Sequence, residues 1–118
     1  MLMLGYATVP TAERNPLWVE VAAELTETCY KMYRIGASST SRTANLAPEY
    51  VTFGPNCRMS IPSDAPWNML RPEAVESLFY MHYFTGNPVY RRWGKDIFDS
   101  FRSNSKAKYG MKMAFSLL

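Results

Sequence analysis

Apolar side chains recur at three- and four-residue steps through the first third of the chain, at Trp18, Val21, Ala22, Leu25, Cys29, Met32 and Tyr33. That spacing predicts one amphipathic helix, with Asn15 placed to cap it, Pro16 suited to its first turn and Gly36 marking its end. Residues 37–47, "ASSTSRTANLA", are small and polar and predict a loop. The "PEYVTFG" that follows offers Tyr50, Val51 and Phe53 for one short extended segment. From Gly54 to Trp67 no period is evident, and prolines at 55, 62 and 66 predict a loop folded over other structure.

A second helical pattern opens at Pro72 and stops before Gly86, a natural residue just past a helix end. Val75, Leu78, Phe79 and His82 form one stripe along it, and Glu73, Glu76, Tyr80 and Tyr83 another. Asn87 then caps and Pro88 opens a third helix, whose apolar stripe is Tyr90, Trp93, Ile97 and Phe101. The short "TGNP" connection makes these two helices a tight hairpin. Beyond Ser103 the period fades. The expected fold is therefore all-α: a helical segment over 1–36, a loop over 37–67 with one extended stretch, a helical hairpin over 68–103, and a tail over 104–118.

Composition narrows the possibilities without redirecting them. In 118 residues, 47% are hydrophobic and 19% charged, which fits one globular unit and not a disordered chain. The net charge of +3 is small, and its basic residues thicken only toward the C-terminus, so a nucleic-acid-binding face is not indicated. "MLMLGYATV" is apolar but short, lacks a basic leader and soon meets Pro10, so it reads neither as a signal peptide nor as a membrane span. Cys29 and Cys57 match no metal or CxxC pattern. They can pair with each other, stay free, or pair outside the chain.

The unusual feature is the acidic pair on the second helix. Glu73 and Glu76 are three residues apart, nearly one turn, so both carboxylates lie on the same side, which is either a solvated face or the wall of a site. His82, the one histidine, reads as a packed side chain. Phe79, Tyr80, Tyr83, Phe84, Tyr90, Trp93 and Phe98 read as inter-helix packing, although a sugar can stack on such rings. Arg91 and Arg92 read as solvated surface.

The surrounding motif decides between those readings. "LRPEAVESLFYMHYFTGNPVYRRWGKDIF" resembles the signature of the class I α-1,2-mannosidases of glycoside hydrolase family 47, roughly L-R-P-E-x-x-E-S-x-x-Y, an aromatic run, then T-G-[DN]-P-x-Y-R-x-W-G. Upstream, "ELTETCYKMY", "LAPEYVTF", "PSDAPWNMLRPE" and "MLMLGYATV" also resemble stretches of that family, while "KYGMKMAFSLL" departs from its continuation. The resemblance implies part of an (α/α)7 barrel, and a calcium-dependent inverting hydrolase of the endoplasmic reticulum or Golgi that trims mannose from high-mannose N-glycans. It implies that Glu73 is the base, that Arg71 is its positioning residue and charge partner, and that Glu76 lines the same pocket. A cation next to Glu73 would favour its ionised form, as a base requires. The motif "ETCYKMY" points to the processing enzymes and away from the degradation-enhancing branch.

The same resemblance implies what lies elsewhere. The family's proton donor and a further catalytic aspartate would fall upstream of this sequence and the calcium-binding threonine beyond Leu118, so no metal ligand is assigned within the chain. Cys29 corresponds to one half of a family disulfide whose partner would precede Met1. It is expected unpaired, unless Cys57 substitutes. Inverting hydrolysis also needs an acid and a base on opposite faces of the sugar, roughly 6.5–9.5 Å apart. Glu73 and Glu76, neighbours on one helix, approach from one side, so the acid must come from another element. The expectation for the isolated chain is a loosely packed fragment without mannosidase activity. The contrasting reading is a catalytically dead fragment that acts as a glycan- or protein-binding module.

Overall fold

The computed structural model describes residues 1–35 and 46–112, and the backbone of 114–115. It is mostly helical: α1 (Leu2–Thr8), α2 (Leu17–Met32), α3 (Glu73–Thr85) and α4 (Pro88–Asn104). Two-residue strands fall between and after them, numbered β1 (Thr52–Phe53), β2 (Met59–Ser60), β3 (Trp67–Asn68), β4 (Lys106–Ala107), β5 (Gly110–Met111) and β6 (Ala114–Phe115).

The helix boundaries follow local chemistry. The Asn15 side chain accepts from the Leu17 amide at 3.0 Å, relieving one of the unpaired N–H groups at the start of α2. Asn87 does the same for Val89 at the start of α4, also at 3.0 Å, with Pro88 in the first turn where a missing N–H costs nothing. Gly86 ends α3 at φ 67°, a left-handed conformation that glycine adopts without a Cβ penalty, and its amide closes on the His82 carbonyl at 2.8 Å. The end expected for α2 at Gly36 lies outside the described residues, as does most of the loop expected at 37–47. Within them α2 stops at Met32.

Three parts of the chain carry elements that the sequence pattern did not delimit. "MLMLGYATV" forms α1 and buries Met3 against α2 and α3. The interval from Gly54 to Trp67 carries a short 3-10 turn at Pro55–Cys57 and the strand β2, which pairs antiparallel with β1. The tail turns back as a β4–β5 hairpin, and β6 pairs with β3, so the end of the chain lies beside the segment that leads into α3. These ladders are only two residues long, too short to show a period of two in the sequence.

The core gathers Met3 from α1, Ala22 from α2, Tyr33 just past it, Leu78 and Met81 from α3, and Tyr90 and Ile97 from α4. Tyr30 of α2 stacks on Trp93 of α4 with ring centres 4.5 Å apart, and its hydroxyl donates to Asp96 at 2.7 Å. On α4 the expected stripe holds: Tyr90 and Ile97 are buried, and Trp93 and Phe101 pack against them. On α3 it does not. Leu78 and Met81 are buried, whereas Phe79 is 61% exposed and Val75 is exposed beside it. Leu17, Val21 and Leu25 likewise leave an apolar face of α2 open to solvent.

Two tyrosines, Tyr33 in the core and Tyr30 packed against it, give the fold an alkaline limit. Burial, then the hydrogen bond to Asp96, pushes the Tyr30 hydroxyl up to about 12, and burial pushes Tyr33 there as well. Both groups hold their protons more tightly when folded than in the unfolded chain, where tyrosine titrates near 10. Their contribution to stability is therefore complete below about pH 10 and is lost as the pH rises toward 12. A melting temperature flat from neutral pH to about 10 and falling steadily above it is the expected result, followed alongside tyrosinate absorbance. A flat profile through pH 12 would contradict the burial of Tyr33 and the Tyr30–Asp96 hydrogen bond.

Candidate active site

The site is built where α3 begins. A single buried amide, Asn68, sets the approach: its Nδ2 donates to the Ala47 carbonyl at 2.8 Å, and its Oδ1 accepts from the Leu70 amide, also at 2.8 Å. Leu70 is held at φ 57°, a left-handed conformation that a leucine adopts only when its surroundings over-determine it. The bend delivers Arg71 and Pro72, and the helix starts at Glu73 with the Glu76 amide bonded to the Pro72 carbonyl at 2.9 Å. Losing the Asn68 side chain would leave two backbone groups unpaired near the core, each costing about 1–3 kcal/mol.

Glu73 and Glu76 both line a cavity of about 330 Å³ bounded by α1, α2 and α3. Leu2 and Leu4 form its wall on the α1 side, Leu25 and Thr26 on α2, and Ser77 and Tyr80 continue it along α3. Both glutamates lie in the first turn of α3, whose positive end favours negative charge by about 0.3–1 kcal/mol at an exposed position. Among the described residues they are the only acids lining this cavity, and both enter it from one helix. A second cavity of about 350 Å³, on the outer side of the α3–α4 hairpin, is lined by Val75, Phe79, His82 and Arg91 and holds no carboxylate. The His82 ring is partly buried, with Nδ1 3.1 Å from the Asn87 carbonyl. Arg91 and Arg92 are exposed, as the sequence suggests.

Arg71 finds a different partner from the one the sequence suggests. Its Nε lies 3.0 and 3.2 Å from the two carboxylate oxygens of Glu49, and its Nη2 also bonds Glu49 Oε1. Glu49 holds the guanidinium above its usual range, first by this hydrogen bond and then by its charge, while Glu73 adds a smaller effect through space. Glu49, 22 residues upstream in the "LAPEYVTF" stretch, is thus the hydrogen-bonded partner of Arg71, an acid to which the sequence reading gave no role. The signal available in the sequence was a lone acid before an otherwise apolar strand.

Calcium takes six to eight oxygen ligands. Among the described residues no three His, Cys, Asp or Glu side chains cluster to hold an ion, so these residues do not form such a shell. Cys29 is half-buried and Cys57 exposed, and the two are not bonded to each other. Burial pushes the Cys29 thiol above its ordinary value, which makes it a poor nucleophile. Among the described residues no helix is long and apolar enough to cross a membrane.

The paired acids thus stand where the R-P-E bend opens the helical hairpin, in the first turn of α3. The family model of glycosyl hydrolase family 47 matches residues 1–116, and the chain belongs to that family. It is 39% identical over 110 residues to the mannosyl-oligosaccharide 1,2-alpha-mannosidase MNS1 of Arabidopsis thaliana, a match covering 93% of this chain and 18% of that protein. The endoplasmic reticulum mannosyl-oligosaccharide 1,2-alpha-mannosidase of Homo sapiens is 38% identical over 97 residues, covering 78% of this chain and 13% of its own length. The protein of the same name from Schizosaccharomyces pombe is 41% identical over 91 residues, covering 75% and 16%. The chain spans less than a fifth of the length of these relatives.

Proposed function

We propose that these residues form one wall of the active site of a mannosyl-oligosaccharide α-1,2-mannosidase acting on high-mannose N-glycans in the endoplasmic reticulum or Golgi. The observation that carries the reading is the cavity at the first turn of α3, where Glu73 and Glu76 stand together beyond the R-P-E bend. Relatives named for this activity in a plant, a yeast and a mammal support it.

In this reading Glu73 is the general base. A carboxylate at the positive end of a helix, with the nearby cation engaged by Glu49, keeps its lone pairs available for a water proton. Glu76 faces the same cavity and accepts hydrogen bonds from sugar hydroxyls, and Arg71 donates to them. The acid on the opposite face of the sugar comes from outside these residues, since both carboxylates in the cavity share one helix. Calcium dependence belongs to the same proposal, with ligands supplied from elsewhere than the described cluster-free surface.

The test is an assay on the protein as its source produces it, with a high-mannose oligosaccharide. Mannose should appear first as the β-anomer by NMR, and a chelator should stop its release until calcium is restored. Initial release of the α-anomer would exclude inversion, and activity indifferent to exhaustive chelation would exclude the calcium requirement.

A further inference from the structure

Thr26 is the odd residue in the wall of the α3 cavity. It is only 5% exposed, belongs to α2 and lines the same cavity as Glu73 and Glu76. A serine or threonine inside a helix commonly returns its hydroxyl to a carbonyl one turn earlier. Two residues of α3 do so: Ser77 donates to the Glu73 carbonyl and Thr85 to the Met81 carbonyl. The Thr26 hydroxyl, by contrast, makes no hydrogen bond among the described residues.

A buried hydroxyl without a partner is costly, and a valine of nearly the same shape would fill the position without that cost. Packing is therefore a weak reason for the threonine. Ser100 and Ser105 also bury hydroxyls without partners, but neither lines this cavity. Around Thr26 the walls are apolar, with Leu2 and Leu4 on the α1 side and Ala22 and Leu25 on α2, whereas the α3 wall carries the two carboxylates. Among the described residues Thr26 is the one polar side chain that α1 and α2 give to the cavity. A sugar offers C–H edges to leucines and hydroxyls to polar groups, so a sugar hydroxyl on the α2 side has Thr26 to meet.

We propose that Thr26 is a substrate-binding and specificity residue of this site, its hydroxyl pairing with one hydroxyl of a sugar seated between α2 and the first turn of α3. The inference rests on this cavity being a glycan site. A threonine hydroxyl both donates and accepts, so it serves whichever role the sugar oxygen leaves open. It selects for a sugar that carries a hydroxyl at that position, since an analogue without one leaves the buried threonine unpaired. Thr26 takes no part in proton transfer.

The test is calorimetric binding of the sulphur-linked analogue of α-1,2-mannobiose, which resists hydrolysis, and of its monodeoxy derivatives, on the protein as its source produces it. Thr26→Val should weaken binding of the parent disaccharide about three- to tenfold, the worth of one neutral hydrogen bond. Its melting temperature without sugar should be no lower than that of the unsubstituted protein, because the hydroxyl it loses has no partner in the fold. Thr26→Ser, which keeps the hydroxyl, should bind within about twofold of the unsubstituted protein. Across the derivatives, the penalty for removing one particular sugar hydroxyl should shrink in Thr26→Val by the same factor, as two halves of one bond require. Unchanged affinity in Thr26→Val, or deoxy penalties that the substitution does not alter, would leave water as the partner of the hydroxyl and overturn the proposal. A valine variant that melts lower or does not fold would show the hydroxyl paired within the protein, and would overturn it as well. Equal affinity of the unsubstituted protein for every derivative decides against it without any variant. Absence of binding of the parent disaccharide by the unsubstituted protein would instead remove the glycan reading of the cavity, and this inference with it.

Discussion

Glu73→Gln is expected to lower turnover by roughly two to four orders of magnitude while leaving the fold intact, since a positioned general base contributes on that scale. The amide matches the carboxylate in shape and keeps the geometry of the first turn of α3, so circular dichroism and melting temperature should not move. What it loses is the capacity to take a proton from water. Affinity for the sugar should change far less than turnover, because the base acts in the transition state. A loss confined to the Michaelis constant would make Glu73 a binding residue, and near-normal turnover would remove it from the site.

The largest effect on stability is expected at Ile97, which is 0% exposed and packs where α4 meets α3 and the end of α2. Ile97→Ala removes buried methyl and methylene groups and leaves a cavity, at a cost of about 2–5 kcal/mol. Against a typical stability of about 5–15 kcal/mol this is a large fraction, and urea unfolding should show the midpoint falling with little change in slope. Ile97→Val should cost about 0.5–1.5 kcal/mol. A loss below about 1 kcal/mol for the alanine variant would mean that the site closes around the gap or that α4 is not packed as described.

The elements that could be read from the sequence are those whose information is local. Gly86 closing α3 and Asn87 with Pro88 opening α4 delimit the turn of the hairpin through bonds spanning only a few residues, and α4 has polar residues on one side and apolar on the other. On α3 apolar and aromatic residues surround the axis, so spacing alone cannot choose the buried face. Packing chose Leu78 and Met81, and left the Val75–Phe79 stripe outside. Arg71 and Glu73 are only two positions apart in the motif, which made them natural partners. The actual carboxylate arrives from 22 residues away because Asn68 and the Leu70 bend bring the two segments together, and no periodicity encodes that meeting. The acidic pair itself was legible because three residues on a helix is a geometric statement; the cavity in front of it depends on α1, whose bounds the pattern did not delimit within the helical segment expected over 1–36.

The loop between Glu49 and Arg71 contains two regions with opposite tolerance to a change in length. From Thr52 to Arg58 every residue is exposed and the chain merely turns between β1 and β2, so an insertion or deletion at that tip would be absorbed locally. From Ala65 to Arg71 the spacing is fixed by Asn68 reaching Ala47 on one side and Leu70 on the other. One residue added there would carry Arg71 away from Glu49 and rotate the start of α3. The stretch therefore behaves as a ruler, and relatives of this chain should differ in length at the hairpin tip but keep count between the alanine and the arginine.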